Sequence, residues 1–412
     1  MVDITIKKNI YNFDMNDLFV IANRNNNSKR NFLFISKVLG KHLEISPNVN
    51  RVIGCMLTEE IFKSKTFNID LFKKYIHNNN SVSEFKINNE LNKYINTIEQ
   101  CLVIGFAETA TSLGMSVAAS IKNSYYVHTT RVQVLDIESV FNFQENHSHA
   151  INHLCYLKNK EVINETDRII LVDDEITTGN SMLNLIEVIN EKYPNKKYDI
   201  VSILDFRSDE NIKKYKDLQD KLNVEINTYS IFSAEIHNIN NTLMNDNINE
   251  ETILNSDKEE KIIFNDFKKE RHLLNNNKPF LFNTYSGRFG IRFDEIREIE
   301  KISKKIASDI CLKYINESDK NILVLGHGED MYIASRIANY LNAKFKSTTR
   351  SPIFVKETMD YPINDRKKII INNTTFYIYN LPKLVKKYDK ILFISEFDIN
   401  LILSEKLLTI KI

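Results

Sequence analysis

The stretch RIILVDDEITTGNSMLNLI, residues 168–186, decides the fold because it joins a buried strand to a helix through two acids and a short turn. Residues 169–172 are all apolar, the pattern of a parallel strand covered on both faces. After the turn, four apolar residues recur at helical spacing: Met182, Leu185, Ile186 and Ile189. Asp173 and Asp174 are therefore expected at the C-terminal end of a strand, where open α/β sheets bind ligands.

The whole chain has the composition of a globular protein with two domains. It has 412 residues, 42% hydrophobic and 26% charged, and a formal net charge of +1. This balance does not favour a nucleic-acid partner. A polar run at residues 241–277 predicts a partly helical connection between a first domain, residues 1–240, and a second domain, residues 278–412.

The cysteines and the first residues predict a cytoplasmic protein. The four cysteines are scattered without CxxC spacing, which fits a reducing compartment and no disulfide framework. The start, MVDITIKKN, lacks the apolar core of a signal peptide, and no apolar run approaches membrane-spanning length. We therefore expect no membrane partner.

The residues DDEITTG suit a sugar phosphate. Asp173 and Asp174 are acceptors that can take hydrogen bonds from a vicinal diol. The following turn has small or hydroxylated side chains, and its backbone N–H groups at a helix N-terminus suit a phosphate. Diol and phosphate separated by one sugar describe a ribose 5-phosphate. The alternative is a capped helix after a strand, with both acids merely exposed.

This stretch resembles the signature with which type I phosphoribosyltransferases bind phosphoribosyl pyrophosphate (PRPP). The resemblance implies an α/β fold, a parallel sheet flanked by helices, in which Asp173 and Asp174 bind the ribose hydroxyls. It also implies a 5′-phosphate loop made of Thr177, Thr178, Gly179, Asn180 and Ser181. Such enzymes use Mg²⁺ held largely by PRPP and water. No dedicated metal site is expected, although Asp173 and Asp174 could contact the ion.

Two upstream segments supply further candidates for binding PRPP. In CLVIGFAETATSLGMSVAASI, residues 101–121, an apolar strand ends at Gly105 and a turn containing Glu108 precedes a helix, as expected for a pyrophosphate loop. Near the N-terminus, SKVLGKH places Lys37 and Lys41 beside an apolar face. These lysines could cover the anionic substrate, or the segment could be an ordinary amphipathic piece.

The resemblance to type I phosphoribosyltransferases implies that the segment between the two motifs closes over PRPP. It contains Arg131 and, in ENHSHAINH, the histidines His147, His149 and His153. Closure would exclude water from an oxocarbenium ion and bring Arg131, His147 and His149 to the leaving pyrophosphate. An ordinary polar loop remains an alternative. A zinc site with Cys155 is another, but the spacing matches no common structural zinc pattern.

The second half of the chain partly repeats the first. CLVIGFAETATSLGMSVAASIKNSYYVHTTR and NILVLGHGEDMYIASRIANYLNAKFKSTTR share an apolar strand, a glycine, an acid three residues later, a helix, and a strand ending in Thr-Thr-Arg. Further on, DRIILVDDE is echoed by DKILFISEF, with Ser395 and Glu396 at the positions of the acid pair. We infer a second, smaller α/β domain that is a diverged duplicate without a PRPP loop.

The resemblance becomes more specific at TTRSPI, residues 348–353, which looks like the signature of the TRSP domain that accompanies a phosphoribosyltransferase domain in one bacterial family. SKVLGKH, GFAETAT, HTTR, ENHSHA and SGRFG also resemble its motifs. That family is associated with tellurium-resistance (Ter-type) stress systems and a nucleoside-like metabolite. The second domain would be purely structural or dimer-forming, or would bind an acceptor or second phosphate through Ser286, Arg288, Glu329, Thr349, Arg350 and Ser351.

These features predict an enzyme that transfers ribose 5-phosphate from PRPP to a base-like acceptor and releases pyrophosphate. A ring nitrogen of the acceptor would attack C1, while Asp173 and Asp174 stabilise the cationic transition state. Similar enzymes usually have paired sites, which is compatible with a homodimer. Two alternatives remain: a non-catalytic PRPP-binding regulatory protein, and a generic α/β domain without affinity for PRPP.

Overall fold

The computed structural model describes residues 2–23, 32–78, 81–144, 152–194, 196–239, 252–253, 262–358, 361–371, 374–399, 401 and 405–412. The helices are α1 (Met15–Leu18), α2 (Asn48–Phe62), α3 (Ile69–His77), α4 (Glu84–Leu91), α5 (Ala110–Ala118), α6 (Glu161–Glu165), α7 (Asn180–Lys192), α8 (Asp209–Leu222), α9 (Phe293–Tyr314), α10 (Met331–Tyr340) and α11 (Leu381–Lys387). The strands are β1 (Val2–Asn9), β2 (Phe19–Asn23), β3 (Phe32–Ser36), β4 (Cys101–Gly105), β5 (Ser124–Thr130), β6 (Phe141–Gln144), β7 (Asn152–Cys155), β8 (Arg168–Ile176), β9 (Lys197–Asp205), β10 (Glu225–Ile239), β11 (Thr252–Ile253), β12 (Ile262–Ile263), β13 (Lys269–Leu273), β14 (Pro279–Asn283), β15 (Ile291–Arg292), β16 (Ile322–Gly326), β17 (Lys344–Ser347), β18 (Arg366–Ile371), β19 (Thr374–Tyr379), β20 (Lys390–Ser395) and β21 (Leu407–Lys411).

The larger sheet has the order β1-β10-β9-β8-β4-β5-β7-β6, and β15 pairs with β5. Strands β10, β9, β8, β4 and β5 are parallel, whereas β1, β7, β6 and β15 pair antiparallel with their neighbours. Every residue of β4 is buried, as its uninterrupted apolar sequence predicts. The predicted α/β fold, a parallel sheet with helices and a second α/β domain, is confirmed.

Strand β8 extends beyond its neighbour β4, and this difference in length opens the site. The β4–β8 ladder ends at the pair Gly105 and Val172, whereas the β8–β9 ladder continues to Ile176. Asp173 and Asp174 therefore lie beside the position where β4 has already ended. The chain leaves β4 for β5 on one side and returns to β8 on the other, which makes this the switch point where α/β sheets bind ligands.

The smaller parallel sheet repeats the centre of the larger one. Its order is β12-β21-β20-β16-β17, so β21-β20-β16-β17 corresponds to β9-β8-β4-β5. Gly326 pairs with Ile394 on β20 as Gly105 pairs with Val172 on β8. By this register, Ser395 and Glu396 take the positions of Asp173 and Asp174. The shared strand order supports the duplication inferred from the sequence.

One apolar core runs through both domains. Helix α10 packs against α2 and α5 of the first domain. The core joins Val52 and Met115 of the first domain to Ile296, Ile333 and Ile337 of the second, all of them buried. Because association of such surfaces removes apolar area from water, the second domain is held firmly against the first.

Backbone and polar contacts fix the relative position of the domains. Ile45 and Phe345 exchange two backbone hydrogen bonds of 2.9 Å, and Arg336 of α10 donates to the Asn48 side chain over 2.8 Å. The guanidinium of Arg336 also pairs with Glu300 at 2.8 Å. Strand β15 adds Ile291 and Arg292 to the edge of the first-domain sheet. The domains therefore meet through directional bonds as well as apolar packing.

The described part of residues 241–277 contains strands rather than helix. Strands β11 and β12 pair in parallel with β18 and β21, and β13 forms a hairpin with β14. The expectation of a partly helical segment is therefore wrong for these residues, because their few apolar side chains extend the edges of second-domain sheets. The domain boundaries themselves stay a prediction. In the described ranges, no helix is long and apolar enough to span a membrane.

We expect Gly54→Ala in α2 to destabilise the fold by about 2 kcal/mol, because the new Cβ would lie 2.5 Å from the Cβ of Ser116 on α5. Helix propensity alone predicts the opposite, an increase of about 1 kcal/mol in the free energy of unfolding. Urea unfolding of the full chain measures the difference. An unchanged or increased free energy of unfolding would contradict the close approach of α2 and α5.

Candidate active site

The acid pair lies in a pocket of about 210 Å³ to which both domains contribute. The lining residues are Lys41, Phe106, Ala107, Glu108, Thr109, Arg131, Asp173, Asp174, Glu175, Ser181, Thr349, Arg350 and Ser351. The last three belong to the TTRSPI segment after β17. Thr349 is held there by two backbone hydrogen bonds with Tyr377, of 3.1 and 2.7 Å. The second-domain segment is therefore part of the wall around the acid pair.

Asp173 and Asp174 are half-buried at this wall. Burial, together with the charge of Asp174, raises the pKa of Asp173 well above its ordinary value. The backbone N–H of Asp174 donates to the Asp173 carboxylate over 2.9 Å. Two adjacent carboxylates with few local donors are suited to a ligand that brings hydroxyl hydrogens or a cation.

The turn before α7 brings the N-terminus of that helix to the pocket, where Ser181 is part of the lining. Gly179 has φ of +73°, which brings the chain into α7 at Asn180 without a side-chain cap. The hydroxyl of Tyr215 donates to the Gly179 carbonyl over 2.9 Å. A Cβ on Gly179 would lie 2.0 Å from that hydroxyl oxygen, so the position requires glycine. A helix N-terminus suits a phosphate, although here the Met182 N–H donates to the Gly179 carbonyl over 3.1 Å and the Asn180 N–H to the Thr178 hydroxyl over 3.5 Å.

Glu108 is a buried carboxylate in the loop after β4. Neither of its oxygens has a hydrogen-bond partner in the described part of the chain, although Arg350 approaches to 3.7 Å. Burial raises its pKa, and the positive charges of Lys41, Arg350 and Arg131 oppose that increase. Lys41 is fixed beside it by a short hydrogen bond to Thr109. This carboxylate is available to a ligand as a hydrogen-bond or proton acceptor.

A second cavity of about 590 Å³ adjoins the first. Ala107, Glu108, Arg131 and Arg350 line both cavities. The larger one also contains residues of the second domain, among them Arg288, His327, Glu329, Phe376 and Phe397. Ligands in the two cavities would therefore contact the same glutamate and the same pair of arginines.

A buried ion cluster joins the domains beside this cavity. Glu329 accepts hydrogen bonds from Thr130 of β5 over 2.7 and 2.9 Å and from Arg288 over 2.9 and 3.1 Å. Arg288 also pairs with Glu396 at 2.5 Å. Burial alone would raise the pKa of Glu329, but the charges of Arg288 and His128 and the hydrogen bond from Thr130 hold it at about 2. The carboxylate is therefore ionised and already bonded on both sides.

A comparison with models of protein families shows the family of the chain. A model described as a phosphoribosyl transferase matches residues 18–235, just over half of the chain. This chain belongs to the phosphoribosyl transferase family. A second model, described as the TRSP domain C-terminal to that phosphoribosyl transferase domain, matches residues 285–410. The predicted enzyme class and the predicted TRSP domain are confirmed.

Solved structures of phosphoribosyltransferases show weak similarity to this chain. The adenine enzyme of Trypanosoma brucei is 15% identical over 32% of this chain and 56% of its own, with a TM-score of 0.24. The adenine enzyme of Leishmania tarentolae is also 15% identical, over 33% of this chain and 62% of its own, with a TM-score of 0.22. The orotate enzyme of Mycobacterium tuberculosis is 10% identical over 52% and 89%, with a TM-score of 0.26. Scores at this level carry no argument. The comparison with curated proteins finds no significant match.

The two cavities and the turn before α7 contain most of the predicted residues. Asp173, Asp174, Ser181, Glu108, Lys41, Arg131, Thr349, Arg350 and Ser351 line the acid-pair pocket, and Arg288 and Glu329 line the adjoining cavity. Thr177, Thr178, Gly179 and Asn180 form the turn that leads into α7. The structure thus brings together residues that are more than 300 positions apart in sequence.

A few predicted residues lie elsewhere. The ammonium of exposed Lys37 donates to the Asn16 carbonyl over 2.7 Å and lines neither cavity. Gly105 has a packing role, since a Cβ there would lie 2.9 Å from the Tyr126 hydroxyl. Ser286 is buried and accepts the Arg288 backbone N–H over 3.3 Å, which positions that arginine. His147 and His149 lie outside the described residues.

His153 packs against an aromatic ring. It stacks on Phe143 and lies 3.2 Å from the Thr129 hydroxyl. Among the described residues, no cluster of three or more His, Cys, Asp or Glu side chains could hold a metal ion. The carboxylates of Asp173 and Asp174 are hard oxygen donors that fit a Mg²⁺ ion held mainly by substrate oxygens.

Several residues of the site were not predicted from the sequence. Thr130 bonds Glu329, Phe376 and Phe397 form an aromatic wall, and His327 lines the cavity with its Nε2 atom unbonded. The signal for His327 is the internal repeat, because it takes the position of Phe106 after the strand glycine. A histidine in place of a phenylalanine at a strand end indicates that the position needs a polar side chain. Alignment of the two halves of the sequence could have found it.

We expect Glu329→Gln to destabilise the fold by about 3 kcal/mol near neutral pH, because it removes a buried charge bonded to Arg288. A depressed pKa stabilises the folded state above the ordinary value of 4.5, and that contribution is lost as pH falls toward about 2. The difference in unfolding free energy between wild type and variant should therefore shrink across this range.

Urea unfolding at several pH values tests this prediction. The control is Glu210→Gln, whose carboxylate is exposed and paired with Lys214 on the surface of α8. This control should change stability by less than about 0.5 kcal/mol. A difference for Glu329→Gln that does not depend on pH would contradict the ionised state of Glu329.

Proposed function

We propose that this protein transfers ribose 5-phosphate from PRPP to a base-like acceptor and releases pyrophosphate. The observation that carries the proposal is a single pocket combining an acid pair at a strand end, the N-terminus of α7, and a cluster of three cations: Lys41, Arg131 and Arg350. These groups match the diol, the 5′-phosphate and the pyrophosphate of PRPP.

The sugar phosphate is held at the end of β8. Asp173 and Asp174 accept hydrogen bonds from the two ribose hydroxyls, and the turn from Thr177 to Ser181 holds the 5′-phosphate through its backbone N–H groups. As C1 becomes cationic, the nearby carboxylates stabilise the developing charge. The restraint of Gly179 by Tyr215 keeps this turn preorganised.

The leaving pyrophosphate faces the cations of both domains. Lys41 and Arg131 come from the first domain and Arg350 from the TTRSPI segment. Mg²⁺ bound to the PRPP oxygens, with Asp173 and Asp174 within its reach, would supply further charge neutralisation. Because guanidinium groups bind phosphate oxygens in a bidentate manner, Arg131 and Arg350 orient the leaving group as well as neutralise it.

Glu108 is the proposed proton acceptor. The acceptor's ring nitrogen forms a bond to C1 while the bond from C1 to the pyrophosphate oxygen breaks, and the nitrogen loses its proton. Glu108 lines both cavities and its oxygens have no hydrogen-bond partner among the described residues. Its raised pKa makes it a stronger base than an ordinary carboxylate.

The second candidate function is a PRPP-binding regulatory protein without catalysis. It would require the acid-pair pocket but neither an unbonded carboxylate nor an adjoining cavity. The presence of both favours transfer chemistry. The synthesis of a nucleoside-like metabolite in a tellurium-resistance stress system stays a prediction, as do the cytoplasmic location and a homodimer.

Calorimetric titration with PRPP, with and without Mg²⁺, tests the proposal. We expect Mg²⁺-aided binding to wild type and no detectable binding to Asp173→Asn/Asp174→Asn. Arg350→Gln should weaken PRPP binding by about tenfold or more, because it removes a charged donor to pyrophosphate. The control is Arg271→Gln, an exposed arginine in β13 that lines neither cavity.

Release of pyrophosphate from PRPP in the presence of candidate bases then separates the enzyme from the regulatory protein. Absence of PRPP binding to folded wild-type protein would overturn both functions. Equal PRPP affinities of Arg350→Gln and Arg271→Gln would remove the second domain from the site.

A further inference from the structure

The larger cavity presents buried polar atoms that no described residue satisfies. His327 and Arg288 are each 1% exposed and line this cavity but not the acid-pair pocket. The Nε2 atom of His327 and the Nη1 atom of Arg288 have no hydrogen-bond partner in the described part of the chain. Buried polar groups are normally bonded, so two of them at one cavity indicate a ligand with complementary atoms.

One free atom is a hydrogen-bond donor, and the other is a donor in one tautomer of the histidine ring. The Nη1 group of an arginine only donates. Burial lowers the pKa of His327 to about 3, so its ring is neutral and carries one N–H. The Thr348 hydroxyl lies 3.0 Å from Nδ1, and we assign it as the donor to that atom, which places the ring hydrogen on Nε2.

The free acceptor lies where the two cavities meet. Glu108 borders both cavities and both of its oxygens are unbonded. Glu329 offers less, because its oxygens already accept from Thr130 and Arg288. A ligand that satisfies this cavity therefore directs an N–H toward Glu108 and acceptor oxygens toward Arg288 and His327.

The apolar surface of the cavity suits a flat ring. Phe376 and Phe397 line it, and His327 packs edge-on against Phe376 with ring centroids 4.5 Å apart. The guanidinium of Arg350 lies over the ring of Phe376, 4.9 Å from its centroid. A volume of about 590 Å³ lies within the range of small-molecule sites and exceeds that of one heterocycle.

We propose that the second domain provides the acceptor subsite in cis, and that this subsite takes a planar nitrogen heterocycle with carbonyl oxygens opposite its reactive N–H. The inference rests on the proposed transfer reaction and adds the substrate class. The oxygens bond Arg288 and His327, the ring packs against Phe376 and Phe397, and the N–H faces Glu108 and C1 of PRPP. An amino group at the position of the oxygen would face the donors of Arg288 and His327. Neither these donors nor the amino group would then have a hydrogen-bond acceptor.

Hypoxanthine and adenine are matched probes, because they differ by an oxygen or an amino group on the same ring carbon. Calorimetry of the full chain with each base, in the presence of Mg²⁺ and ribose 5-phosphate, measures binding without transfer. We expect hypoxanthine to bind at least about tenfold more tightly than adenine. Equal affinities, or no binding of hypoxanthine to a chain that binds ribose 5-phosphate, would overturn the subsite.

His327→Phe tests the role of the imidazole, since it restores the residue type of Phe106 and retains an aromatic ring among Phe376, Phe393 and Phe397. It should weaken hypoxanthine binding about tenfold and leave ribose 5-phosphate binding unchanged. Thr348→Val is a second variant, which removes the hydroxyl that fixes the tautomer and should also weaken hypoxanthine binding. Wild-type affinity for hypoxanthine in both variants would contradict the proposal.

The same titrations separate this inference from the proposed function. Asp173→Asn/Asp174→Asn should lose ribose 5-phosphate binding and keep the preference for hypoxanthine over adenine. Binding of ribose 5-phosphate with no preference between the bases would leave the PRPP site standing and overturn the subsite. A His327-dependent preference in a chain that binds neither PRPP nor ribose 5-phosphate would support the ring subsite and overturn the transfer reaction.

Discussion

The site shared by the two domains depends on the hydrogen bonds and the ion pair of the buried Glu329 carboxylate. This carboxylate belongs to the second domain, but its oxygens accept from Thr130 of the first domain as well as from Arg288. An ionised carboxylate without water must be bonded by donors on several sides, so the loops after β5 and β16 are fixed relative to each other. Arg131 follows Thr130 at the end of β5, and Arg350 follows Thr349 in the segment after β17. Both arginines line the two cavities.

Duplication explains why the two domains form one site. In each sheet, the glycine at the end of the central strand is followed three residues later by a glutamate, Glu108 or Glu329. The copies have since acquired different chemistry. The first retains the acid pair and the turn before α7, whereas the second has Ser395 and Glu396 at the register of the pair and uses Glu396 to hold Arg288. One copy thus suits a sugar phosphate and the other a ring.

Much of the first-domain site could be predicted from the sequence because it is local. The apolar run, the acid pair and the turn of residues 168–186 lie in consecutive positions, and the structure places them as strand β8 and helix α7. The repeat likewise indicated the second sheet. The sequence did not show which of Lys37 and Lys41 lies in the pocket. Gly40, between them, has φ of +75°, and in the folded chain it is Lys41 that bonds Thr109 beside the pocket.

The joint cavity could not be predicted, because it depends on how two sheets face each other. Periodicity indicates which faces of α5 and α10 are apolar, but it does not show that those faces pack together. The contact of Thr130 with Glu329 joins residues 199 positions apart. His327 and Phe376 acquire a role only once that contact places them beside Glu108.

The central claim is that one ligand site is built from both copies of the duplicated unit. A crystal structure of the full chain with Mg²⁺ and PRPP, or with Mg²⁺ and the products ribose 5-phosphate and pyrophosphate, tests it most directly. We expect ribose hydroxyls on Asp173 and Asp174 and a pyrophosphate that contacts both Arg131 and Arg350. A pyrophosphate bound by first-domain residues alone, with Arg350 turned away from it, would contradict the account.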